Sequence, residues 1–367
     1  MSTKDLYSIP VDVETRWDVP MVGDTLFTWD YDDGRDRLLA LYQKGKDKQW
    51  DSTKRIDWSI EVDPNDPAGF PEEYNDLANT DIWRKMSKKE QDEFGRHQSS
   101  WLFSQFLHGE QGAMVVSARI VETVPDLDSK FYAATQTMDE ARHVEVYSKF
   151  LQEKIGLVYP MNDDLAALLK DALEHKEWDY AYLGMQVLIE GLALAAFGLY
   201  RDMAKNPLVQ QILAYVMQDE ARHVAFGRLS LKDYYAELSD KERAEREEFA
   251  VEGCYLMRDR FEGREVFDTL GLPTEEILEI TRNSEIQQVF QSLLFSRIVP
   301  CMKDIGLWGD KVQKAYADMG VLDMAGVDLE ALMRDDEDIA EKIDAAKAEL
   351  ALRRQEIKDT ISLGASV

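Results

Sequence analysis

Cysteine is nearly absent from this chain of 367 residues: Cys254 and Cys301 stand apart, neither at paired spacing. That excludes a disulfide framework and a thiolate-held zinc or iron–sulfur site. Histidine is scarce as well, with five in all, and Lys plus Arg number 43 against 71 Asp plus Glu. Phosphate backbones need cationic side chains to displace counterions, so a formal charge of −28 argues against nucleic acid as a partner. Strictly alternating apolar and polar runs are lacking, which leaves no place for a strand. Residues Met1 to Arg16 hold no apolar stretch of the secretory kind, and the expected location is the cytoplasm. One segment, Ala181–Leu199, is long and apolar enough to imitate a membrane span. Gln186 and Glu190 near its middle argue instead for a helix buried in protein, so no membrane partner is expected.

What is present is a chain of ordinary globular makeup, 45% hydrophobic and 31% charged. From Ser87 onward apolar residues recur at helical spacing. The expected class is all-α: a single domain over 1–367, with a wrapping N-terminal extension (1–85), a helical core (86–238) and additional helices (239–367). A short helix is expected at 35–49, and longer ones at 87–124, 127–155, 163–175, 177–204, 207–237, 239–270 and 274–304. Shorter helices near 307–319 and 328–360 complete the set. Pro125 and Pro207 each stop one helix and open the next, which makes two helical hairpins.

Both hairpins carry one motif. Asp139-Glu140-Ala141-Arg142-His143-Val144 recurs unchanged 80 residues later as Asp219-Glu220-Ala221-Arg222-His223-Val224. Glu110 and Glu190 stand 30 residues before Glu140 and Glu220. Glu110 lies 15 residues before Pro125 and Glu140 lies 15 after it. At about 1.5 Å per residue the two carboxylates sit level, roughly 20 Å from the turn, on adjacent antiparallel helices. Within each motif Glu and His are three apart and share a helix face. Joining the hairpins brings four Glu and two His to one point. A Glu from each of two helices plus Glu-x-x-His from the other two is the ligand set of di-iron and di-manganese bundles. Two divalent cations neutralise four carboxylates that are otherwise very costly to bury.

These motifs resemble the ferritin-like di-iron carboxylate superfamily, in the branch of ribonucleotide reductase small subunits, bacterial multicomponent monooxygenase hydroxylases and ligand-binding oxidases. The resemblance covers 90–235 and implies a ferritin-like four-helix bundle with additional helices. It implies metal ligands at Glu110, Glu140, His143, Glu190, Glu220 and His223. Asp139 and Asp219 would each bind the histidine of the opposite motif, steadied by Arg142 and Arg222. The cofactor expected is two iron ions, with Mn/Fe or Mn/Mn as alternatives, and O2 as co-substrate. The expected activity is oxidation of a small, largely apolar organic molecule, by C–H hydroxylation, desaturation or N-oxygenation. Electrons would come from an external reductase or ferredoxin, and a homodimer is the superfamily habit. Tyr147, four residues after His143, resembles the radical tyrosine of reductase subunits, so a radical-generating subunit is the alternative; iron storage is a second one. Multicomponent monooxygenases carry a Thr where this chain has Leu194, and arylamine N-oxygenases a seventh ligand, His, where it has Val216. Met185, Ala193, Leu194 and Phe197 beside Glu190 are candidates for an apolar substrate pocket or for close helix packing.

Overall fold

The computed structural model describes residues 23–28 and 34–364. Among these residues there is no β-strand. The N-terminal part holds α1 (Asp36–Asp47), the single turn α2 (Ser52–Arg55) and α3 (Asp81–Lys85). Then come α4 (Lys88–Thr123), α5 (Leu127–Phe150), α6 (Asp163–Glu174), α7 (Trp178–Tyr182), α8 (Glu190–Met203) and α9 (Pro207–Ala236). Helix α7 runs into α8 through a π-helical turn, Leu183–Ile189, so Trp178–Met203 is continuous. Helices α4, α5, α7–α8 and α9 form the central bundle, with α4 against α5 and α8 against α9.

Local chemistry sets these boundaries. Ser87 and Glu90 form a reciprocal cap on α4, Asp126 caps α5, and Asn206 caps α9 with Pro207 in its first turn. The apolar window within Trp178–Met203 is 83% buried, so the segment lies inside the bundle. Helix α1 lies across α5 and α9. Past the bundle come α10 (Asp240–Asp259), α11 (Arg264–Thr269), α12 (Thr274–Arg282), α13 (Glu285–Leu294), α14 (Ile298–Asp304), α15 (Asp310–Asp318) and α16 (Leu329–Gly364), the last packed on α9.

Two expected helices are broken. The stretch 239–270 divides at Gly263, whose φ of +69° is left-handed backbone that only glycine adopts without strain. The stretch 274–304 divides into three, because Ser284 caps a new helix start with its hydroxyl and the chain turns again at Phe295–Arg297.

Candidate metal centre

The motif helices α5 and α9 cross-support each other. His143 turns Nδ1 inward, 3.2 Å from Glu110 Oε2, 3.3 Å from Glu140 Oε2 and 3.0 Å from Glu220 Oε1. His223 Nδ1 lies 3.1 Å from Glu140 Oε1 and 3.3 Å from Glu220 Oε2. Glu140 and Glu220 therefore each offer one oxygen to each imidazole, while Glu110 and Glu190 stand at opposite ends. Donor atoms of Glu110, Glu140, His143 and Glu220 lie within 4.8 Å of one another, as do those of Glu140, Glu190, Glu220 and His223. All six side chains are buried.

The outer nitrogens are held by the opposite motif. His143 Nε2 is 3.1 Å from Asp219 Oδ2, and His223 Nε2 is 3.3 Å from Asp139 Oδ2. Arg142 bridges both carboxylates, donating to Asp139 at 2.5 Å and Asp219 at 2.7 Å, and Arg222 pairs with Asp219. Such partners fix the ring orientation and leave Nδ1 free to bind a metal.

Without a metal the cluster is electrostatically strained. Burial, and then the charge of Glu220, push the carboxyls of Glu110 and Glu190 well above their usual range. Burial also opposes ionisation of His143 and His223, but the surrounding carboxylates outweigh it and raise both imidazoles. Glu140 moves the other way: against its own burial, the two histidines hold it below the ordinary carboxylate range. Glu190 Oε2 is buried with no hydrogen-bond partner among the described residues. An orphaned carboxylate oxygen inside an oxygen- and imidazole-lined cluster fits hard divalent cations.

Several contributors escape the sequence pattern. Gln136 Nε2 donates to Glu190 Oε1 at 2.7 Å and to Glu140 Oε1 at 3.1 Å, and Gln186 Nε2 donates to Gln136 Oε1 at 3.3 Å. Each glutamine stands four residues before a cluster Glu, a spacing that could have flagged it. Gly227 makes room for them, since a Cβ there would meet Gln186 Cβ at 2.4 Å. Gln49 donates to Asp139 at 2.6 Å and Trp50 Nε1 to Asp219 at 2.8 Å, brought in by the N-terminal segment with no local signal.

The remaining candidates fall as follows. Tyr147 is fully buried among Phe103, Phe106 and Phe197, its hydroxyl without a hydrogen-bond partner among the described residues and its pKa raised by burial and by Glu110. Met185, Leu194 and Phe197 are buried in the core and Ala193 packs against it. None of these four lines the 780 Å³ cleft that opens between α4, α8 and α13. His97 and His108 meet Tyr159, and His175 stacks on Tyr180. Burial pushes the thiols of Cys254 and Cys301 up to about 12, so both are unreactive.

The model of the p-aminobenzoate N-oxygenase AurF family matches residues 32–306. No curated protein matches the chain significantly by sequence. Among solved structures, an R2-like ligand-binding oxidase variant with an aerobically reconstituted Mn/Fe cofactor is 16% identical, with a TM-score of 0.52. The match covers 77% of this chain and 100% of that one. A second structure of that oxidase, taken after photoconversion, gives 16%, the same coverages and 0.51. The dimanganese(II) NrdF of Streptococcus sanguinis gives 16% identity over 79% of this chain and 99% of its own, with a TM-score of 0.49. The two oxidase likenesses place the fold among ferritin-like helical proteins. Val216 is accordingly a difference within the N-oxygenase family and not a mark of exclusion from it. The chain belongs to the AurF family, and it is an oxygen-dependent di-metal oxidoreductase.

Proposed function

We propose that this chain is a di-iron N-oxygenase acting on a small organic amine, with Glu110, Glu140, His143, Glu190, Glu220 and His223 as its metal ligands. The observation that carries the metal site is the double-facing geometry of Glu140 and Glu220, each presenting an oxygen to both imidazoles, while the N-oxygenation draws on the matched family. Two metals would be held by these six side chains, one group with Glu110 and His143 and the other with Glu190 and His223, Glu140 and Glu220 belonging to both. Bound iron supplies the two-electron activation of O2 that organic side chains cannot. One oxygen atom enters the substrate nitrogen and the other leaves as water, which takes two protons and two electrons from an external donor. A reductase or ferredoxin would be that donor, and the acidic chain favours a basic docking face on it.

The protein's own residues orient and insulate. Asp139 and Asp219 hold the imidazole rings, and Arg142 and Arg222 hold those carboxylates. Gln136 fixes Glu190 in its rotamer. Phe106, Phe197 and Tyr147 form an aromatic layer that keeps water from the cluster. Iron is favoured over manganese by the matched family; Mn/Fe and Mn/Mn remain the alternative pairs for this donor set. The homodimer and the cytoplasmic location are proposals too, the dimer supported by the exposed Val115, Phe131 and Met138 on the outer face of α4 and α5.

Metal content of iron-grown protein tests the reading, followed by spectra of the anaerobic ferrous form as O2 is admitted with an arylamine. About two irons per chain and amine-dependent O2 uptake are expected. No bound metal, or metal content unchanged in Glu140→Ala/Glu220→Ala, overturns it. A second reading, a radical held at Tyr147, draws on the burial of that ring beside Glu110 and Glu220. A persistent organic radical in the electron paramagnetic resonance spectrum, absent in Tyr147→Phe, would establish it.

A further inference from the structure

The 780 Å³ cleft has the volume of a small-molecule site and a composition that selects. Its inner surface is aromatic, with Phe94 and Trp101 from α4, Tyr200 from α8, and Phe261 and Phe290 from beyond the bundle. Ring faces of this kind favour aromatic ligands and cations. Among the described residues its charged lining is one-sided: seven carboxylates, Glu72, Asp76 and Glu285 among them, and one lysine, with Glu262 already paired to Arg282. That lysine, Lys88, is already paired with Asp92 at 2.8 Å. An anionic ligand meets repulsion here and an ammonium meets attraction.

The cleft also points at the metal centre. Leu102 lines it and stands eight residues before Glu110, about 12 Å along the same helix. The Tyr200 ring lies 6.0 Å from that of Phe106, and Phe106 packs 4.7 Å from Phe197 and 5.9 Å from Tyr147. Phe106 precedes Glu110 by one helical turn. The Phe106 ring thus stands beside Tyr200 of the cleft lining and one helical turn from Glu110.

We infer that this cleft binds the organic substrate and selects a neutral or cationic aromatic amine over an aromatic carboxylate. Phe106 is the ring the reacting end must displace. The binding claim stands on the cleft itself; only the later oxidation rests on the proposed function.

Calorimetric titration of the full chain, metal-free and metal-loaded, tests it with para-aminobenzylamine and para-aminobenzoate as probes. At low salt the cationic probe is expected to bind about tenfold tighter, the gap narrowing as salt rises. Glu72→Lys/Glu285→Lys, on exposed rim positions, is expected to erase or invert that preference without loss of helical signal. Phe106→Trp, at the ring that has to move, is expected to slow amine-dependent O2 uptake while the order of affinity of the two probes is kept. Equal binding of the two probes, or a preference untouched by the rim variant, overturns the inference. Because metal-free protein is titrated too, a failure to load iron would sink the proposed function without touching this test. Efficient turnover of para-aminobenzoate in preference to the cationic amine would do the reverse.

Discussion

The two hairpins share a motif and differ one turn away from it. In the first, the positions four residues before Glu110 and Glu140 are Phe106 and Gln136. In the second, those before Glu190 and Glu220 are Gln186 and Val216. Each hairpin thus supplies one amide and one apolar side chain, and the fold sorts them. The amides join each other and Glu190, whereas Phe106 and Val216 pack in the cluster that contains Tyr147. Duplication keeps what binds the metals; divergence at neighbouring positions makes one end polar and fixed and the other apolar and turned toward the cleft.

The bluntest way to break this comparison is to remove a residue that both ends use. Glu140→Ala or Glu220→Ala is expected to drop metal content from roughly two ions per chain to near none and abolish oxidase activity. Elemental analysis decides it, and retention of one tightly held ion would mean the ends are independent. Asp139→Asn and Asp219→Asn, which loosen the imidazoles symmetrically, should each weaken metal affinity about 10- to 100-fold. Titration of metal-free protein with Mn(II), followed by magnetic resonance, checks this, and strongly unequal losses would show that Arg142 and Arg222 do not share the load.

Protonation sharpens the comparison further. His143, His223, Glu110 and Glu190 all hold their protons more tightly folded than unfolded when no metal is bound. The folded metal-free chain then carries more protons than the unfolded one, from the ordinary carboxyl value of 4.5 upward for the two Glu and from 6.5 upward for the two His. The stability these four groups contribute should therefore start to fall above pH 4.5 and fall faster above 6.5, as pH rises through the elevated values. Metal-loaded protein, whose ligands are already deprotonated, should instead lose stability as pH falls. Melting curves from pH 6 to 9 are expected to shift by a few degrees in opposite directions. Smallest of all, Gln136→Leu should weaken the Glu190 end most, by about threefold, through loss of its short hydrogen bond to Glu190 and the longer one to the shared Glu140. A stepwise binding isotherm separates the two ends.

How much of this is legible in the chain follows from how local each signal is. Helical spacing and an 80-residue repeat are written in contiguous residues, so the bundle and the convergence of the four Glu and two His follow from counting along the chain. The pairing of His143 with Asp219 joins positions 76 apart on different helices, and only the family resemblance points to it. The breaks at Gly263 and Ser284 escape the apolar pattern, which continues across them while backbone conformation and capping decide the helix ends. The cleft and its acidic rim are invisible for a different reason. They gather side chains from residues 65 to 293, whose proximity only packing defines.

Trp50 reaches Asp219 across 169 residues, and Arg55 and Lys44 bond Asp344 and Glu337 across 289 and 293. Residues 44 to 55 thus form a clasp laid on the motif helices from outside and tied to α16. The angle of the His143 ring, set by Asp219, therefore answers to chain segments far outside the repeated motif.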